Sequence, residues 1–200
     1  MPRSPRQKVV LAGAVISLFA AITTGQTACA GSPAHLPAGP IKPTNATGEA
    51  LPVKVGQKIT DGLIALKLSG RKDAVIDRVR PVYVGTAVKT LGAITSDPNR
   101  LQGIPLNYYT MWPPKDPKLG VTRPAAGTTM HPYKAGMLVT QILIGMQVTR
   151  EGHFLRKGFW LYYHVGSDHY RRFFPSEVTF CTPSAMHGNV CPFLGGGASH

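Results

Sequence analysis

Acidic side chains are scarce in this 200-residue chain: nine Asp and Glu face 22 Lys and Arg, a formal net charge of +13 at pH 7. So small a stock leaves few carboxylates to orient a catalytic histidine. It also leaves few to form the paired acids of a glycosidase, for which Glu49, Glu151 and Glu177 are the only glutamates. Aromatic residues make up 8% of the chain and cysteines number three. No C-x-x-C, H-E-x-x-H or H-x-x-E-H spacing occurs, so a zinc centre of those patterns has no sequence support. There is no G-x-S-x-G elbow, and Gly195-Gly196-Gly197 is not followed by a helix pattern that could complete a phosphate-cradling loop. The apolar run Val9 to Ile22 has about fourteen residues, short of the roughly twenty that cross a bilayer as a helix.

Punctuation is plentiful: 18 prolines and 22 glycines cut the chain into short segments, which excludes a long-helix bundle or coiled coil. The apolar share of 43% excludes full disorder, and the length suits one domain.

The first thirty residues read as an export signal. Arg3, Arg6 and Lys8 precede the apolar run, and Ala28-Cys29-Ala30 gives a small-residue cleavage site, so residues 1–30 are assigned to a signal peptide. A rival reading makes Cys29 a lipid-attachment site, although Gln26 stands where such sites usually carry an aliphatic residue. Either way Cys29 is removed or capped, and Cys181 and Cys191 remain as a pair. An oxidising compartment favours their joining in a disulfide. Closing a loop of that size contributes about 2.5–3 kcal/mol by chain entropy.

Residues 31–50, rich in Pro and Gly, read as an extended tether with too little apolar surface to offset chain entropy. From Leu51 to Leu194 the pattern is β. Leu138, Ile142, Ile144, Met146 and Val148 share one face of a segment ending at Thr149, which predicts a half-buried strand of an antiparallel sheet. In Gly158 to Phe174, Phe159, Leu161, Tyr163 and Val165 alternate with Trp160, Tyr162 and His164, and Gly166-Ser167-Asp168 turns the chain into a hairpin. Shorter strands are expected over Val53 to Val55, Leu63 to Leu68, Val75 to Val84 and Ala87 to Ile94, with Pro81 restricting its segment to an edge or bulge. Thr95 to Gly136 reads as irregular, either a functional loop system or the place of an unrecognised strand. Residues 195–200 read as a flexible tail. About seven strands at this spacing predict an all-β, immunoglobulin-like antiparallel β-sandwich over 51–194.

The basic leader, the Pro-rich tether, the strand LVTQILIGMQVT, the hairpin GFWLYYHVGSDHYRRFF and the final Cys together resemble small secreted or lipid-anchored immunoglobulin-like proteins of actinobacteria. The resemblance spans roughly Leu51 to Cys181. It implies location and fold, and it carries no catalytic residues with it.

Four constellations are candidates for chemistry. Arg150, Arg156, Lys157, Arg171 and Arg172 cluster around the hairpin and predict a surface for anionic ligands. Once Arg3, Arg6 and Lys8 leave with the signal, nineteen basic residues against nine acidic still give +10. Tyr108, Tyr109 and Trp112 place large rings on a loop, as a recognition surface or as a lid. Met130-His131 and Met186-His187 offer soft and imidazole donors for copper. His164, His169 and Asp168 flank the hairpin turn as a minimal metal set. The expectation is therefore a non-catalytic binding or structural module of the cell envelope, without a cofactor. Its partners would be anionic envelope components or the membrane surface, with no nucleic acid and with any protein partner left open. The rivals are an extracytoplasmic copper protein using the Met-His pairs and a secreted hydrolase whose site the sequence does not display.

Overall fold

The computed structural model describes residues 36–44, 48–96, 106–134 and 139–194. The leader, Cys29, Leu138 and the tail 195–200 lie outside them. The strands in chain order are β1 (Ile41–Pro43), β2 (Gly48–Pro52), β3 (Lys58–Leu68), β4 (Ala74–Val84), β5 (Val88–Thr95), β6 (Tyr108–Tyr109), β7 (Arg123–Pro124), β8 (Thr129–Met130), β9 (Thr140–Val148), β10 (His153–Val165) and β11 (Asp168–Cys181). One sheet runs β1-β3-β9-β5-β7, with β6 also paired to β3, and the other runs β2-β11-β10-β4-β8. All pairings are antiparallel except β2 with β11.

This is the all-β sandwich expected. Six long strands carry the core, and the short ones, of two to five residues, had no pattern long enough to read. Ile64, Leu66, Ile142, Ile144, Met146 and Val148 of the first sheet meet Ile76, Phe159, Leu161, Tyr163, Phe174, Val178 and Phe180 of the second in one buried cluster. Phe159 and Phe174, cross-strand partners on β10 and β11, stack with centroids 5.3 Å apart. Fully burying each such side chain contributes about 1.5–3 kcal/mol. The hairpin forms as predicted, with Val165 opposite Asp168 across the turn. Pro81 sits where β4 pairs with β10 on one side, while β8 reaches only Ala74 and Val75 on the other. Its missing N–H thus falls on a free edge, where proline is tolerated.

The strand expected over Val53 to Val55 is not formed; those residues follow β2 outside any strand. Two larger expectations are also overturned. The tether is not extended through residue 50: Ile41 is fully buried and β1 and β2 are sheet strands. Its backbone finds partners on the hairpin. Tyr163 Oη donates to Ala38 O at 2.7 Å and accepts from Ile41 N at 3.1 Å, and Arg171 N donates to Pro37 O at 2.9 Å. Gly39, at φ 66°, lies so close to the Tyr163 and Tyr170 rings that a Cβ would collide with both. Composition missed this because the segment docks by backbone hydrogen bonds and a single aliphatic anchor.

The second correction concerns β9, which is buried on both faces: Gln141, Leu143 and Gly145 lie under cover along with the inward set. The cover is the segment after β6. Gly62 N donates to Asn107 O at 3.0 Å, Thr60 Oγ1 donates to Met111 O, and the Trp112 ring lies directly on Gly145 and beside Gly92. A short 3-10 helix, Pro117–Leu119, follows, capped by Asp116. The part of the proline-rich stretch from Asn107 to Trp112 thus lies over the outer face of the first sheet, while β7 and β8 add to the sheet edges.

Candidate functional site: the outer face of the hairpin sheet

The expected basic cluster does not form one surface. β10 takes three residues, Arg156 to Phe159, to advance past two of β4, Tyr83 to Pro81, so a bulge at Lys157 reverses the alternation. Arg156 therefore points into the sandwich with no exposed side-chain area, where its Nη2 pairs with the equally buried Asp61 of β3. The guanidinium also donates to Ser176: Nη2 lies 3.1 Å from the carbonyl and 3.0 Å from Oγ. A second bulge, on β3 between Asp61 and Ile64, turns Asp61 inward, and Asp61 Oδ1 accepts from Leu63 N at 2.8 Å within it. Arg156 is a structural cation and leaves the anion-binding set. Arg172 also faces away from Arg171. It donates to Ile41 O at 3.0 Å and its guanidinium lies 5.7 Å from the Phe174 ring. Arg150 and Lys157 are exposed, with Arg150 over Phe154 at 6.0 Å.

Arg171 meets two arginines that the sequence reading did not select, Arg78 and Arg80 of β4. Cross-strand register places Arg78 opposite Tyr162, Arg80 opposite Trp160, and Arg171 opposite Tyr162 from the other side. All of them point outward from the second sheet. Arg171 stacks on Trp160 at 4.6 Å, Arg78 on Tyr162 at 4.3 Å, and Trp160 packs against Phe173 with centroids 5.2 Å apart. Burial alone would raise the Tyr162 phenol. Hydrogen bonds from Arg171, Arg78 and Arg80 outweigh it and pull the pKa below the usual value. Arg171 Nε is shielded and has no hydrogen-bond acceptor among the described residues. The signal for this face was present in the sequence as the alternation Arg78-Val79-Arg80, but its meaning depended on β4 lying beside β10.

The three rings expected on a recognition loop separate. Tyr108 turns inward, its hydroxyl buried without a hydrogen-bond partner among the described residues. Burial pushes its pKa well up, and the Asp61 charge adds to that. Tyr109 faces outward and donates to Asp116 Oδ2 at 3.3 Å, its pKa pushed up to about 12 by burial, by the Asp116 charge and by that hydrogen bond. Trp112 is the cover over Gly145. The lid reading holds for Trp112, and the three do not make one contact surface.

The first Met-His pair does not present paired donors, whereas Met186 is half-buried next to the exposed His187. Met130 on β8 is 1% exposed in the core, and strand alternation sends His131 out to Asp73 at 3.0 Å. His187 is exposed and bridges Val190 through its backbone. His164 and His169 do approach each other, but the carboxylate between them is Asp77 rather than Asp168. Cys181 and Cys191 form the expected disulfide, with Cα atoms 5.5 Å apart. The chain after it folds back, as His153 Nε2 lies 2.7 Å from Pro192 O and Leu194 N donates to Thr179 Oγ1 at 3.0 Å.

No protein-family model and no curated protein matches the chain. Among solved structures it is similar to an ASH/PapD-like domain of human CEP192 (PapD-like domain 7), at 9% identity and a TM-score of 0.38, over 88% of this chain and 99% of that one. Likeness at that level carries no argument about ligands.

Proposed function

We propose that this protein is exported and works as a non-catalytic binding module of the cell envelope, holding an anionic polymer on the outer face of its hairpin sheet. The observation that carries the reading is the shared outer face of Arg78, Arg80 and Arg171, with Arg78 stacked on Tyr162, Arg171 on Trp160, and Phe173 beside Trp160. Planar guanidinium forks match phosphate and carboxylate oxygens in bidentate fashion. A row of guanidinium groups held on two strands suits the repeated charges of a polymer better than an isolated ion. The surplus positive charge of the chain would draw such a ligand in, more weakly as salt rises. Export is supported by the basic and apolar leader and by the Cys181–Cys191 disulfide, a bond that persists in oxidising compartments.

The test measures binding of the full chain to a polyglycerol-phosphate polymer, with anionic lipid vesicles as a second arm, by tryptophan fluorescence at several salt concentrations. Saturable binding to the polymer is expected. Each charge-assisted contact is worth about 1.5 kcal/mol, so each replacement among Arg78→Gln, Arg80→Gln and Arg171→Gln should weaken binding about tenfold. Arg150→Gln, on another part of the surface, should cost little. Binding that is unchanged in the triple variant, or that goes to vesicles in preference to polymer, overturns the proposal.

A further inference from the structure

At the tip of the hairpin, beyond the arginine cluster, three metal-ligating side chains come together from three adjacent strands. His164 of β10 and His169 of β11 are direct cross-strand partners, one pair in from the turn, with ring centroids 5.5 Å apart. Asp77 of β4 reaches both: its Oδ1 lies 2.7 Å from His164 Nδ1 and its Oδ2 lies 3.7 Å from His169 Nδ1. One ligand atom from each residue can be chosen so that all three lie within 4.8 Å of one another.

Asp77 is placed there by a bulge. Along the β4–β10 pairing, Tyr162 faces Arg78 and Tyr163 faces Ile76, so Asp77 is the extra residue with no partner strand residue opposite it. Without the bulge, Ile76 would share the outward face of Arg78 and Arg80. With it, Ile76 is fully buried and Asp77 joins Arg78 on the outside. Bulges of this kind re-aim a side chain at a local cost in pairing. Here the re-aimed group is a carboxylate set between two imidazoles.

We propose that Asp77, His164 and His169 bind a divalent transition ion of the zinc class. Two imidazole nitrogens and one carboxylate oxygen are the donor set that zinc and its neighbours take, whereas calcium and magnesium require oxygen ligands throughout. Three protein donors leave a coordination position for water or for an anionic oxygen. The side chains are 30% to 61% exposed, which leaves an open path for the ion. Arg78, the nearest cation in sequence, is engaged over the Tyr162 ring. Because the donors sit on paired strands, their spacing is fixed before the ion arrives. A coordinating imidazole nitrogen carries no proton, so the hydrogen bond between His164 Nδ1 and Asp77 Oδ1 gives way to two bonds to the ion. This inference does not depend on the polymer-binding reading.

The experiment is calorimetric titration of the tag-free full chain with Zn2+, repeated with Ca2+. Imidazole resonances of His164 and His169 are followed in parallel. One zinc ion per chain is expected, with both imidazoles shifting and with calcium showing no saturable binding. Asp77→Asn, His164→Gln and His169→Gln should each weaken zinc binding by at least about tenfold, the lower end of what losing even a supporting group of a metal site costs. His131→Gln and His187→Gln, elsewhere on the surface, should leave it unchanged. All five positions are exposed or half-buried, and thermal unfolding of each variant confirms that the fold is retained. Absence of saturable zinc binding, calcium binding of equal strength, or zinc binding that survives the double variant His164→Gln/His169→Gln overturns the proposal.

Discussion

Replacing Arg156 with methionine should be among the most damaging single changes available to this domain, and adding a second change at Asp61 should reverse most of the damage. Both side chains have no exposed area, and the guanidinium spans the two sheets between Asp61 and Ser176. Arg156→Met strands a buried carboxylate that keeps the bond from Leu63 N at 2.8 Å but loses its counter-charge, and breaking such a pair from one side costs about 3–5 kcal/mol. Asp61→Asn strands the cation instead, against the neutral acceptors of Ser176, with a loss of similar order. In the double variant neither charge remains, and the side-chain carbonyl oxygen left by Asp61→Asn can still accept from Leu63 N inside the bulge. Its stability should lie within about 1–2 kcal/mol of the parent, so the two losses are strongly non-additive. Urea unfolding followed by circular dichroism and by tryptophan fluorescence, with the disulfide intact, gives the four stabilities by linear extrapolation. Lys157→Met, at the exposed neighbouring position, is the control and should move stability by no more than about 0.5 kcal/mol. If the double variant loses the sum of the two single losses, or if Arg156→Met costs less than about 1 kcal/mol, the reasoning from buried charge is refuted.

Two further outcomes follow from the outer faces of the sheets. Tyrosinate absorbance on raising pH should show Tyr162 ionising first and Tyr109 among the last, because guanidinium donors depress one phenol while burial and Asp116 lift the other to about 12. The sign follows from linkage. A folded-state pKa below the unfolded one adds stability that is complete above the ordinary tyrosine value and is lost as pH falls through the depressed folded value, so Tyr162→Phe should remove the early phase together with that high-pH stabilisation. An early phase that persists in Tyr162→Phe contradicts the arginine effect on that phenol. Gly145→Ala places a methyl group where the Trp112 ring lies, so the ring must move off β9. The expected loss is about 1–3 kcal/mol with a red-shifted tryptophan emission. A variant with parent-like stability and emission would show that the ring does not cover that strand.

The sequence alone settled whatever is written at a period of two. The inward faces of β9 and of the long hairpin, the turn between β10 and β11, the edge position of Pro81 and the pairing of two cysteines ten positions apart all follow from local spacing and from redox chemistry. Tertiary structure alone decided what depends on breaking that period or on choosing neighbours. Bulges at Lys157, after Asp61 and at Asp77 each shift a strand by one residue. A one-residue shift exchanges the two faces: it sends Arg156 and Asp61 into the core and brings Asp77 out to the histidines. The arginine face exists because β4 lies beside β10. Ile41 of the tether is buried, and Trp112 is half-buried against β9, because distant segments supply surfaces that their own neighbours in sequence do not. A strand's pattern specifies which residues share a side, and only the assembled sheets specify which side meets water.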